Sequence, residues 1–168
     1  MFAILRHPFV LLLPLCSFVA HQTRGETMNI QLEINGHHLQ ATLEDTPSGR
    51  DFYALLPLTL SAKDYAKTET IADLPRKLTT QGAAAGVDPQ IGDITYYAPW
   101  GNLALFHHDF GYSRGLIRLG HIDGASDMIS RALQLASPTT LTLTPLTADP
   151  GTGTSSGLAL KPYPTEKN

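Results

Sequence analysis

A regular alternation of apolar and polar residues over 28–34 constrains the fold of this chain more than any other feature. Isoleucine and leucine occupy every second position of this segment from residue 30, which places one face of a β-strand on a core. Asn35 and Gly36 follow, a dipeptide typical of the type I′ turn, and the alternation resumes over 39–43. The sequence therefore predicts an antiparallel hairpin as the first element.

Short strand patterns recur along the rest of the chain. Apolar and β-branched residues alternate over 91–97, 103–108, 116–122 and 140–144, and a fragment of the same kind lies at 58–60. Several short strands bounded by turn residues are typical of an antiparallel barrel. We therefore predict one barrel domain over residues 28–145.

Only two segments favour helices, and both are short. Thr46 is expected to cap the first helix, and Ser126 or Asp127 is expected to cap the second. The polar stretch 63–69 is interpreted as surface, and 79–88, rich in small residues and glycine, as a loop that connects strands. The helices are therefore expected to cap the barrel rather than to form a layer of their own.

The two ends of the chain are not expected to belong to the folded domain. Residues 1–25 are predicted to be a signal peptide that is removed, because basic Arg6 precedes an apolar run over 9–20 that is too short to span a bilayer comfortably. We expect a periplasmic or secreted protein with no membrane attachment after this removal, or a cytoplasmic one if Met28 is the true start. The tail 146–168 is predicted to be disordered, since it contains little to bury.

The charge of the chain limits the classes of partner. The formal net charge is −3 and neither sign is clustered, so no nucleic acid or anionic membrane is expected. The single cysteine, Cys16, lies in the N-terminal apolar run, which excludes a disulfide or a cysteine metal site within the domain. We predict no cofactor, and a peptide or a small molecule as ligand.

The histidines form two adjacent pairs, His37 with His38 and His107 with His108. Neighbouring residues of a strand point to opposite faces, so the two members of a pair cannot bind one ion. A metal site would need one histidine from each pair and a carboxylate such as Asp109. Solvent-facing or hydrogen-bonded histidines are the simpler interpretation, and no metal is predicted.

Three segments resemble the bacterial cyclophilin-like domain family: 64–69 (DYAKTE), 92–106 (GDITYYAPWGNLALF) and 115–120 (GLIRLG). The likeness extends over residues 28–143. It implies a mainly β fold, a closed or nearly closed antiparallel cyclophilin-like β-barrel with two short helices. It implies no particular chemistry, because members of this family are grouped by barrel shape and are largely uncharacterised.

Cyclophilins themselves are peptidyl-prolyl isomerases, so the resemblance implies a groove on the barrel wall. In such a groove an arginine donates to the prolyl amide, which weakens its double-bond character and lowers the isomerisation barrier. This chain lacks the phenylalanine-histidine-arginine segment of the enzymes, and Arg50 and Arg114 are the remaining candidate donors. The leading interpretation is an exported domain that binds a peptide segment or a small molecule without catalysis, with a divergent isomerase as the alternative.

The candidate ligand-binding residues are mainly aromatic, because amphipathic rings offer apolar area with a polar tip. They are Phe52, Tyr53, Arg76, Tyr97, Trp100, Phe106 and Tyr112. Asp93, which follows Gly92, is expected to stabilise a turn rather than to act as an acid or base. The sequence contains no Gly-x-Ser-x-Gly elbow and no phosphate-binding glycine loop, so it favours binding over hydrolysis or phosphate chemistry.

Overall fold

The computed structural model describes residues 27–146, which form a closed barrel of eight antiparallel strands with two helices. The predicted mainly β barrel is therefore confirmed. The predicted signal peptide, 1–25, and the predicted tail beyond Leu146 lie outside the described residues. Neither helix among residues 27–146 has the length and apolar character needed to cross a membrane.

The described residues contain ten strands and two helices. The strands are β1 (Met28–Ile34), β2 (His37–Leu43), β3 (Leu58–Tyr65), β4 (Glu69–Asp73), β5 (Gly86–Val87), β6 (Asp93–Tyr97), β7 (Asn102–Phe106), β8 (Ser113–Arg114), β9 (Leu116–Ile122) and β10 (Thr139–Pro145). The helices are α1 (Pro47–Tyr53) and α2 (Ser126–Leu133). The strand order around the barrel is β1-β10-β3-β4-β7-β6-β9-β2, with β2 pairing back to β1, while β5 and β8 form a separate two-stranded sheet.

Strands β1 and β2 form the predicted hairpin. Asn35 and Gly36 lie at its turn with positive φ angles of 50° and 75°, the left-handed conformation that a type I′ turn needs at both central positions. The register pairs Leu32 with Leu39, and both side chains are buried in the core. The alternation seen in the sequence is therefore the inside–outside pattern of the barrel wall.

Strand β4 is not predicted by the sequence, because 63–69 reads as a polar surface stretch. In the structure β3 turns directly into β4 within this stretch. Ala66 and Lys67 adopt positive φ angles of 53° and 57°, and the Asp64 carboxylate accepts the Lys67 backbone N–H at 3.0 Å, which stabilises a tight turn without glycine. Pairing with β3 on one edge and β7 on the other fixes β4 in the wall, although its neighbourhood is polar.

The two helices differ in how their first turns are capped. Thr46 caps α1 as predicted, since its Oγ1 accepts a backbone N–H of the first turn at 3.0 Å. The prediction for α2 is wrong, because its N-cap residue is Ala125, which offers no side-chain acceptor. Asp127 instead forms an ion pair with Arg131 at 2.9 Å, one helical turn away. A carboxylate in the first turn stabilises the positive end of the helix without capping it.

Two apolar clusters lie on opposite sides of one part of the barrel wall. Leu103 and Leu105 of β7 join the core inside the barrel, while Ala104 and Phe106 belong to a second cluster outside it, as alternation along a strand requires. The outer cluster also contains residues of β4 and β9, and Val87 of β5 packs against it. An apolar outer wall over β4, β7, β6 and β9 is therefore the place where a groove can form.

Candidate functional site

A cavity of about 220 Å³ lies on the outer face of the wall formed by β4, β7, β6 and β9. We call it the wall cavity. Its lining comes from these strands, from the β3–β4 and β6–β7 turns and from the segment that precedes β9. The lining residues are Tyr65, Ala66, Thr68, Glu69, Tyr97, Trp100, Asn102, Phe106, Phe110, Ser113 and Leu116.

Strand pairing in the barrel brings lining residues from distant segments side by side. Glu69 of β4 pairs with Phe106 of β7. On the other edge of β7, Asn102 pairs with Tyr97 of β6, which in turn pairs with Leu116 of β9. Cross-strand partners share one face of a sheet, so these side chains all contribute to the same cavity. Its floor runs along the outer side of β7.

Trp100 stands beside the cavity at the turn between β6 and β7. Its ring lies edge-to-face against Tyr65, with ring centroids 5.6 Å apart and 85° between the planes. The geometry against Tyr97 is similar, at 5.3 Å and 83°, and such perpendicular pairs are favoured by the ring quadrupoles. Tyr65 and Trp100 remain 42% and 59% exposed, so both rings are accessible to a ligand.

Asn102, a lining residue, carries a buried acceptor without a partner. The residue is only 2% exposed, yet its Oδ1 has no hydrogen-bond partner among the described residues. An unsatisfied buried polar atom costs about 1–3 kcal/mol, and buried polar groups are rarely left in this state. An N–H or O–H group of a ligand in the wall cavity would satisfy this oxygen.

Glu69 contributes a half-buried carboxyl group to the same lining. Burial disfavours its charged form and raises the pKa of Glu69 from 4.5 to about 7. Within the part of the chain that the structure describes, no lysine, arginine or histidine forms an ion pair with it. The carboxyl group therefore changes its charge near neutral pH. A charged ligand bound beside it would shift its pKa.

Glu69→Gln is expected to stabilise the protein above pH 7 by about 1–2 kcal/mol, a figure reduced for the partial exposure of the group. The folded protein binds the Glu69 proton more tightly than the unfolded chain does. Its contribution to stability is therefore greatest below pH 4.5 and is lost as the pH rises to about 7. Urea unfolding across this range measures the effect, and Glu33→Gln, at an exposed position of β1, is the matched control. Parallel pH profiles for Glu69→Gln and the unmodified protein would contradict this account.

Three of the residues predicted to bind a ligand meet at the wall cavity. Tyr97, Trp100 and Phe106 all belong to its lining. Phe52 does not, because α1 turns its ring into the barrel core, where it is 0% exposed. Tyr53 packs partly buried against the same core. The structure therefore does not bring these two α1 residues to a surface site on the wall.

The remaining predicted residues also lie outside the lining. Arg76 is held by Asp51 through hydrogen bonds of 2.6 and 3.1 Å, and Tyr112 is 60% exposed. Of the two candidate amide donors, Arg50 forms an ion pair on the surface and Arg114 is exposed on β8. The structure gathers none of these four side chains into the wall cavity.

The polar and aromatic lining residues that the sequence does not identify as ligand-binding candidates include Tyr65, Glu69 and Asn102. Asn102 could have been found, because the alternation over 103–108 extends back to it and places it on the same face as Phe106. Tyr65 and Glu69 could not, since their position depends on the pairing of β4, which the sequence does not predict.

A second cavity, of about 450 Å³, lies where β7 ends. There Nε2 of His107, a residue 1% exposed, lies 3.0 Å from an Asp64 carboxylate oxygen, and burial lowers the pKa of His107. Asp109 instead accepts the backbone N–H of Ile91 at 2.9 Å. Among residues 27–146, no three histidine, cysteine, aspartate or glutamate side chains are grouped to hold a metal ion. The histidine site considered from the sequence is not assembled there.

Comparisons with known proteins agree with this architecture. The solution structure of the hypothetical protein AF2241 from Archaeoglobus fulgidus is similar, with a TM-score of 0.50 and 18% sequence identity over 73% of this chain and 98% of that one. At this identity the likeness shows the fold alone. No curated protein matches the chain. The profile of the cyclophilin-like family matches residues 32–144, a span that contains the whole wall-cavity lining, and the chain belongs to the cyclophilin-like family.

Proposed function

We propose that the wall cavity binds a peptide segment or a small molecule and that the domain acts without catalysis. The observation that carries this proposal is the unpartnered Oδ1 of Asn102, buried in the lining of a cavity with aromatic walls. Ligand sites combine a mainly apolar lining with a few polar groups that fix the orientation of the ligand. The wall cavity has this composition.

The volume of the cavity limits what can enter it. About 220 Å³ is below the range of about 300–1,000 Å³ that is usual for drug-sized ligands. One side chain of a peptide, or a compact small molecule, is therefore the expected occupant. Trp100 and Phe110, 59% and 53% exposed, would contact the part of the ligand that projects from the cavity.

The charges of the lining favour binding over isomerisation. A cyclophilin-type isomerase needs an arginine beside the prolyl amide, and the described residues that line the cavity include no arginine, lysine or histidine. Arg114 follows Ser113, a lining residue, but its own side chain is exposed. This arrangement supports a binding module rather than a divergent isomerase.

Trp100 is the only tryptophan of the chain, so its fluorescence reports on the wall cavity. We expect that a panel of N-acetylated amino-acid amides contains members that change this emission saturably. Asn102→Ala is expected to weaken their binding about tenfold, because the ligand loses a buried acceptor. Asn29→Ala, at an exposed position of β1, is the matched control and should leave the affinity unchanged.

A proline-peptide isomerisation assay on the same protein tests the absence of catalysis. Acceleration that Arg50→Ala or Arg114→Ala removes would overturn the non-catalytic part of the proposal. The binding part is wrong if no amide of the panel changes the Trp100 emission, or if Asn102→Ala and Asn29→Ala bind these amides equally well.

A further inference from the structure

We infer that the group held in the wall cavity is an organic cation, a methylated ammonium head that Glu69 and the surrounding aromatic rings contact together. This inference rests on the proposed function, because it names the class of ligand that the same cavity takes. Two observations support it: the arrangement of the aromatic rings in the wall cavity and the charges of the residues that line it.

Two tyrosine rings of the cavity stand nearly at right angles to the ring of Trp100. The planes of Tyr65 and Tyr97 make angles of 85° and 83° with the plane of Trp100. A cation is attracted to the face of an aromatic ring within about 6 Å of its centroid, and most strongly to tryptophan. Rings set at right angles allow one methylated ammonium group to contact more than one of them. The geometry therefore suits a compact cation better than a flat ring, which would stack on a single face.

The charges of the lining favour a cation over a neutral or anionic group. Glu69 is the only carboxyl group among the described lining residues, and none of the others carries a positive charge. A half-buried acid without a partner cation is unfavourable in its ionised form. A bound ammonium group would supply the missing partner, whereas an anion would be repelled by the ionised carboxylate and a neutral group would supply no counter-charge.

Trp100 connects the two polar positions of the cavity. Tyr65 pairs with Glu69 across β3 and β4, and Tyr97 pairs with Asn102 across β6 and β7. Because the indole contacts both tyrosine rings, it extends from the carboxyl side to the amide side. Choline carries an ammonium head and a hydroxyl group, one for each kind of polar position, and is therefore the test ligand.

Binding of a cation should be coupled to the ionisation of Glu69. With a pKa of about 7, the group is partly protonated at neutral pH, and a neighbouring cation favours its ionised form. Binding should therefore release a proton and tighten as the pH rises. The phenols of Tyr65 and Tyr97 line the cavity together with Glu69. Lys63 of β3 and Asp73 of β4 lie on the same outer face of the wall, because Lys63 pairs with Ile71 and Asp73 pairs with Asn102. Other charged or titratable groups nearby line the second cavity: Asp64, Lys67, His107 and His108.

The experiment compares choline with its neutral isostere, 3,3-dimethylbutan-1-ol, using the full chain. Trp100 fluorescence and calorimetry measure both affinities at about pH 8 and about pH 6, one unit on either side of the Glu69 pKa. We expect choline to bind at least about tenfold more tightly than the isostere at the higher pH. Its affinity should fall about tenfold at the lower pH, while that of the isostere stays constant.

Substitutions at Glu69 and Trp100 test which residues cause the preference for choline. Glu69→Gln is expected to abolish both the preference for choline and its pH dependence, whereas Glu33→Gln, exposed on β1, keeps both. Trp100→Ala, followed by calorimetry, should lose choline binding, and Trp100→Phe should restore part of it because a ring face returns. Glu69→Gln is nearly isosteric and removes an unpaired half-buried acid, so this variant is expected to fold.

The possible outcomes separate this inference from the proposed function. Equal affinities for choline and the isostere, or undiminished selectivity in Glu69→Gln, overturn the organic cation and leave the binding function intact. If neither compound binds, the cation is likewise overturned, and the amide panel still decides whether the cavity binds ligands at all.

Discussion

Phe52→Ala is expected to lower the free energy of unfolding by about 3–5 kcal/mol. The Phe52 side chain is 0% exposed and belongs to the core enclosed by the strands. Removing its ring deletes apolar contacts and leaves a void. The surrounding wall is a closed barrel of eight hydrogen-bonded strands, which limits how far the structure can collapse into that void. Urea unfolding followed by circular dichroism measures the loss.

Two control variants distinguish a core role for Phe52 from a surface role. Phe52→Leu keeps most of the apolar volume and should cost only about 1 kcal/mol. Tyr112→Ala removes a ring that is 60% exposed and should change the stability by less than about 0.5 kcal/mol. A loss of unfolding free energy below about 1 kcal/mol for Phe52→Ala, together with weaker ligand binding, would contradict the core role. It would indicate that Phe52 contacts the ligand, as the sequence suggests.

Asp93→Ala is expected to cost about 3 kcal/mol of stability. The Asp93 carboxylate is buried, with the residue 3% exposed, and it contacts Arg118 at 2.8 Å, His121 at 3.1 Å and the backbone N–H of Gln90 at 2.9 Å. Removing it takes the counter-charge from Arg118, whose Nε has no partner among the described residues. Breaking a buried ion pair from one side costs about 3–5 kcal/mol. Because the Arg118 side chain is 36% exposed, water screens part of its charge, and we expect a loss of stability at the lower end of this range.

Asp127→Ala is the matched control for Asp93→Ala. It also removes an aspartate paired with an arginine, Arg131, at 2.9 Å, but both side chains are about 70% exposed. Pairs of this kind contribute about 0.2–1 kcal/mol and weaken with salt. Urea unfolding at low and high salt compares the two variants. Similar small losses for both would mean that the Asp93 contacts do not stabilise the barrel as argued.

The elements that the sequence predicts correctly are those whose signals are local. The hairpin over β1 and β2 is specified by its own alternation and by Asn35 and Gly36, whose backbone angles suit one kind of turn. The start of α1 is similarly specified by Thr46, which needs only a backbone N–H three residues ahead. Such signals do not depend on the rest of the chain.

The errors occur where pairing with distant residues outweighs a local pattern. Strand β4 lies next to the polar turn at Ala66 and Lys67, and it is held between β3 and β7 rather than by its own composition. The turn role predicted for Asp93 is confirmed by its contact with the Gln90 backbone N–H. The sequence does not predict the ion pair of Asp93 with Arg118, which joins β6 to β9.

Local patterns alone predict the barrel class, the hairpin and the aromatic character of 92–106, because period-two alternation and turn chemistry act over a few residues. That Glu69 and Asn102 share one cavity with Trp100 follows from the packed barrel, since strand register between β4, β7 and β6 is fixed by closure of the whole barrel. The packing of α1 against the barrel likewise decides that the Phe52 ring is buried in the core. Alternation places a residue on one face of its own strand, whereas which residues of different strands meet on that face depends on the packed sheet.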